Sequence, residues 1–315
     1  VRLRPRRAVA RLVAGIIAAV VLVPLGTGTA AAHGGDGPEP SAHLPRILAV
    51  EPAVPGLAVT VIEGGYRLRV DNGTGTTVTV LPPNGAARSS EPVVPPGGSA
   101  RWADLRVAAA EAGGPPPEGT RAWTVPLLVG DVPVLVRGEQ TWPPPPAALL
   151  WWALTALAAI GAALIGIGAA GIGAVGPGAV GRPRLAVPLA ATTLLVAAAH
   201  AVHILGSALV VDGTAYPQAV LGSAGVTVVV WPIAVAGAVL AARGRRYGPL
   251  LCALAGAVLA QFSAFELAAF SNAVLPFGWN PDLDRAMIVL TFGGGLGLFL
   301  SGFRVLGTFT ATPRS

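Results

Sequence analysis

His200 and His203 stand three residues apart in AATTLLVAAAHAVHILGSAL, an otherwise apolar stretch. The chain has only 4 histidines, so half of them fall in one segment. Residues at i and i+3 share a helix face. Neutral imidazole is the commonest metal ligand, and its charge changes near physiological pH. Ionisable groups at membrane depth are costly, which makes such a pair a functional candidate. Two chemistries follow: binding Zn²⁺ or Cu²⁺, or relaying protons. The plainer alternative is structural, with an acid pairing one imidazole to tie two helices together. As a motif, HxxH without a neighbouring acid is much less specific than HExxH.

The elements that must position this pair are membrane spans. The chain has 315 residues, 53% hydrophobic and 11% charged. A soluble domain carries roughly 25% charge, so a polytopic membrane protein is expected. Five apolar stretches, at 148–172, 185–209, 219–242, 249–271 and 286–306, each suit a bilayer core of about 30 Å. All 21 basic residues are arginines. Arg182 and Arg184, then Arg243, Arg245 and Arg246, then Arg304 and Arg314, fall on one side of these stretches. Asp212, Asp282 and Asp284, with the single Arg285, fall on the other. The positive-inside rule makes the arginine side cytoplasmic. The arginines thus have a topological role and imply no nucleic-acid partner; the expected partner is the lipid bilayer.

Topology gives depth. The second and fourth stretches run from inside to outside. At 1.5 Å per residue, His200 lies roughly 23 Å along its span and His203 roughly 27 Å. By the same rise, Glu266 lies roughly 26 Å along the fourth. It is the one carboxylate inside an expected span, and its depth matches the histidines. If the two helices touch, His200, His203 and Glu266 form a cluster near the outer surface.

Before the spans lie other segments. Residues 1–32 read as a signal peptide, with a basic start, an apolar core from Leu12 to Leu25 and Ala30-Ala31-Ala32 at the cleavage site. Residues 33–141 read as an extracytoplasmic β-sandwich domain. Short β-rich runs (47–50, 57–62, 66–70, 76–81, 100–107, 121–129 and 132–137) alternate with turns such as Asp71-Asn72-Gly73 and Gly130-Asp131. Residues 142–147, WPPPPA, form a stiff connector. The five-helix domain follows over 148–306, with 307–315 as a cytoplasmic tail. The fold class is therefore an all-α transmembrane bundle preceded by an all-β sandwich-like domain.

Two further histidines extend the metal reading. Cleavage after Ala32 would leave His33 as the N-terminus, offering an α-amine and an imidazole together, and His43 could add a second imidazole. Both would share the outer side with His200 and His203. Alternatively, His33 and His43 are simply part of a flexible lead-in. The single Met287 and the single Cys252 argue against a soft Cu(I) site. No GxSxG, HExxH, CxxC or Walker sequence is present, so a non-enzymatic role is expected. The glycines of the first and last spans, among them Gly161, Gly166, Gly293, Gly294, Gly295 and Gly297, suit close helix packing.

The layout of signal peptide, mature N-terminal histidine, small β-domain and a bundle with outer-side histidines resembles the bacterial copper-resistance CopC and CopD proteins, which occur as fusions. The chain as a whole more closely resembles uncharacterised actinobacterial envelope membrane proteins, most of all in ILAVEPAVPGLAVTVIEGGYRLRVDNGTG, a resemblance that implies no activity. The first resemblance implies copper binding outside the membrane, with His33 as the N-terminal ligand and His200 and His203 as membrane ligands. The leading expectation is thus metal handling at the extracytoplasmic face, copper first and zinc second. The alternative is a non-catalytic envelope module whose β-domain binds a partner protein or wall component, with the bundle as anchor.

Overall fold

The computed structural model describes residues 38–83, 91–108, 116, 119–170, 183–245 and 247–310. The expected signal peptide, His33 and the last five residues of the tail lie outside the described residues.

The β-domain is two antiparallel sheets built by alternation. In β7 (Thr120–Val129), Trp123, Val125, Leu127 and Val129 are buried while the residues between them are more exposed. Period-2 side chains give one face to the core. A two-residue turn at Gly130-Asp131, with Gly130 at φ +59°, returns the chain as β8 (Val132–Thr141). β1 (Leu44–Glu51) pairs with the far side of β8. β4 (Val78–Val80) pairs with β7, and β5 (Val93–Val94) pairs with β4, giving the order β1-β8-β7-β4-β5. The second sheet has the order β2-β3-β6, from Leu57–Ile62, Arg67–Asn72 and Ser99–Trp102. Leu68 and Val70 of β3 meet Val78, Val125, Leu127 and Val136 of the larger sheet in one apolar core.

Two expectations are corrected here. The strand expected over 100–107 ends at Trp102, because the Asp104 carboxylate accepts the Arg106 backbone N–H at 2.9 Å and starts a short helix, Leu105–Ala108. Val93–Val94, flanked by prolines, is a strand that carries too few residues to show a pattern.

Five helices are long and apolar enough to cross a membrane: Ala148–Ala169, Ala186–Ala208, Tyr216–Ala242, Gly248–Phe270 and Pro281–Gly302. The chain therefore reads as a multi-pass membrane protein. The last span packs through small residues: a Cβ on Gly293 would sit 2.5 Å from the Thr155 carbonyl oxygen, and one on Gly295 2.6 Å from that of Gly256. By contrast, Gly161 faces open space. Cys252 is fully buried in the bundle core, in one cluster with Leu259 and Ala234.

Three of the five spans are interrupted. The third is α-helical over Tyr216–Ala224, 3-10 over Gly225–Val229, and α-helical again over Val230–Ala242. Gly225 makes the break at φ +49°, ψ −132°, a conformation essentially reserved for glycine. In the fourth, α-helix Gly248–Ser263 tightens to 3-10 over Ala264–Phe270. A π-helical turn, Val289–Gly294, divides the fifth.

The β-domain is docked on the bundle. The Arg69 guanidinium donates to the Asp212 carboxylate at 3.1 Å, and Arg101 donates to the Asp212 carbonyl. Ser41 and Val274 exchange two backbone hydrogen bonds of 2.9 Å each.

Candidate functional site

The second span carries His200 and His203 on its bundle-facing side, both buried. Their ring centroids are 6.4 Å apart. The two imidazoles are held differently, and this decides what each can do.

His203 Nδ1 lies 2.6 Å from Asp284 Oδ1. A carboxylate only accepts, so the proton belongs on Nδ1. The lone pair of the neutral ring is then on Nε2. That atom is buried and has no hydrogen-bond partner, one of three such side-chain atoms among the described residues. Most buried polar atoms are satisfied, so this exception needs an account. The Phe277 ring lies nearly parallel to the imidazole, with centroids 6.4 Å apart at 11°.

His200 has the opposite tautomer. Its Nδ1 accepts from Trp231 Nε1–H at 3.2 Å, and an indole nitrogen only donates. The His200 proton therefore sits on Nε2, and its lone pair is already used.

Both imidazoles line a small cavity with room for about one water molecule or one ion. Thr227, from the broken stretch of the third span, also lines it, as do Ser263 and Glu266 where the fourth span changes from α to 3-10. Two of the three helix breaks therefore border the cavity. Irregular backbone at membrane depth is tolerated where it is buried in protein or lines a cavity, and discontinuous spans mark the binding sites of many transporters. As the side chains stand, no three His, Cys, Asp or Glu residues among the described ones are grouped to hold a metal ion.

Of the residues singled out by sequence, His200, His203 and Glu266 meet at one cavity. His43 does not join them. It is buried beside β1, with Nδ1 3.1 Å from Ser41 Oγ and its ring 5.7 Å from that of Trp142. Residue 33 is outside the described residues.

Asp284 was missed. Sequence placed it in a loop before a span starting at 286, and left Glu266 as the one carboxylate within a span. The fifth helix instead starts at Pro281, capped by the Asn280 side chain, which accepts the Asp282 N–H at 2.7 Å. Asp284 is thus inside the helix and buried, 4% exposed. Its signal was readable: Asn followed by Pro is a helix start, with Asn at the N-cap and Pro at N1. The adjacent Arg285 is buried too, donating from Nε to the Ala269 carbonyl at 2.9 Å and from Nη1 to Asp282 at 2.7 Å. It clamps the start of the fifth span to the end of the fourth. Trp231 and Phe277 carried no such mark, since aromatic residues in apolar runs are ordinary core or interface residues.

No protein-family model matches the chain, and no curated protein or solved structure matches it either.

Proposed function

We propose that the protein handles a divalent metal ion, copper first, at the extracytoplasmic face of the cytoplasmic membrane, with His203 as the central ligand. The observation that carries this reading is the buried, unpartnered Nε2 of His203 beside the cavity, on a ring whose Nδ1 is held by Asp284. Metal-bound histidines characteristically donate their other N–H to a carboxylate, which fixes the ring and raises its basicity. Glu266 brings a carboxyl group to the same cavity. Thr227 and Ser263 supply hydroxyl groups. This is an imidazole and oxygen donor set, which suits Cu²⁺ or Zn²⁺ rather than Cu⁺.

His200 fits less directly, because Trp231 already occupies its acceptor nitrogen. Its role is to wall the cavity and to donate from Nε2. The ion is cargo or signal in this reading, and the chain's own residues bind it, orient the ligand ring and compensate its charge. The proposed topology rests on the arginines. Arg243 and Arg245 lie at the opposite end of the third span from Asp212, the carboxylate that touches the β-domain, so the positive-inside rule puts the β-domain outside.

Titration of the full chain in lipid nanodiscs with Cu²⁺ and with Zn²⁺ tests the proposal. One bound ion per chain is expected. His203→Ala abolishes that binding, Asp284→Asn weakens it by about 10–100-fold, and His200→Ala weakens it less than His203→Ala does. Undiminished affinity in His203→Ala would remove the basis of the assignment.

A further inference from the structure

One loop connects the β-domain to the imidazole of His203. The fourth span ends at Phe270 and the fifth begins at Pro281, and of the ten residues between them Val274 and Pro276 touch the β-domain. Val274 both donates to and accepts from the backbone of Ser41, at 2.9 Å each way. Pro276 comes next to Gly64 of the β-domain, whose Cβ position is 3.5 Å from the Pro276 Cα. The following residue, Phe277, stacks on His203. Leu275 and Phe277 are both buried. Within four residues the chain passes from a β-bridge with one domain to the ring face of a buried imidazole in the other.

The seat of Phe277 is built for it. Its ring occupies the space a side chain would need at Gly206, three residues beyond His203 on the same helix face. The Gly278 N–H then donates to the Gly206 carbonyl at 2.9 Å and fixes the loop to the second span. His203 is therefore gripped at Nδ1 by Asp284 and across its face by Phe277. Only the direction of Nε2 is left unconstrained by a partner.

We infer that Phe277 is a positioning residue for His203, and that the seating of the β-domain on Val274–Pro276 controls it. A partner or ligand that shifts the β-domain pulls the loop at Ser41 and Gly64. Phe277 then slides off the imidazole, and the orientation of Nε2 is released. The regulatory meaning rests on the proposal that His203 binds an ion; the coupling itself needs no ion.

The test uses the full chain in lipid nanodiscs and two readouts. The first is the rate at which diethyl pyrocarbonate modifies His203, resolved from the other histidines by peptide mass spectrometry. The second is Zn²⁺ affinity. Gly206→Ala displaces Phe277 directly, and Phe277→Leu removes the flat ring by a milder change. Ser41→Pro acts from the β-domain, by deleting the N–H that donates to Val274. Each variant is expected to raise the His203 modification rate several-fold while still giving a cooperative thermal transition. A faster rate in Gly206→Ala or Phe277→Leu but not in Ser41→Pro overturns control by the β-domain. Unchanged rates in all three overturn the positioning role as well. Faster modification in a protein that binds no Zn²⁺, even as wild type, upholds the coupling and removes the ion reading.

Discussion

At the scale of residues, two of the buried carboxylates, Asp284 and Asp104, do opposite jobs. Asp284 steers one imidazole; Asp104 holds a loop shut. Burial alone would raise the Asp104 carboxyl, but hydrogen bonds from the Arg106 guanidinium, the Trp102 indole and the Arg106 backbone outweigh it and hold the carboxyl below its ordinary value. A lowered carboxyl contributes stability that is complete above the unfolded value, near pH 4, and is lost as pH falls through the folded one. The β-domain should therefore lose stability progressively below about pH 4, followed by its tryptophan fluorescence. Asp104→Asn should cost about 2 kcal/mol at neutral pH, the usual scale of hydrogen bonds to a charge, and should flatten that acid limb. How far the site was legible is also a matter of single residues. His200, His203 and Glu266 could be brought together from sequence because span depth is simple arithmetic. Asp284 could not while the N-terminal cap of its helix went unread. The tautomers of the two histidines depend on Asp284 and Trp231, 81 and 31 residues away, and no local pattern encodes them.

At the scale of elements, period and length were the dependable guides. The sequence placed all five spans, the fifth with its start at 286 rather than 281, and it placed β2 and β7 to within a residue, because apolar runs and alternation are strong signals. The interruptions within the spans left no trace in that pattern, since a π turn or a 3-10 stretch keeps the same apolar composition. Yet the π turn sets geometry at the site. It inserts extra backbone between Asp284 and Gly295, which packs on the fourth span. Deleting one residue from Val289–Gly294 should restore α-helix and turn Asp284 by about 100° relative to Gly295. The His203–Asp284 contact should then be lost. The check is the ¹⁵N shift of the His203 ring nitrogens, which should lose the signature of a carboxylate-bound Nδ1–H. A spectrum that keeps it would show that the turn has no part in placing Asp284.

At the scale of the molecule, the two domains meet through charges and one β-bridge. The Arg69–Asp212 pair is partly exposed, and Asp71 also holds Arg69, at 2.7 Å. A double-mutant cycle of Arg69→Ala and Asp212→Asn should therefore give only a small coupling, shrinking further at high salt. The Ser41–Val274 backbone bonds and the Arg101 bond to the Asp212 carbonyl add to the grip. The β-domain's apolar core, by contrast, draws among the described residues on those between Ile47 and Val136. Every side chain it needs has been translated before the ribosome reaches the first span, whereas Asp212 and Val274 come much later. Domains generally fold as units, the N-terminal one first during synthesis. A chain truncated at Pro146 should accordingly give a cooperative thermal transition with β-sheet circular dichroism; a featureless melt would refute this. The sandwich can thus be complete before its dock is made, and the segment that closes over His203 is among the last to leave the ribosome.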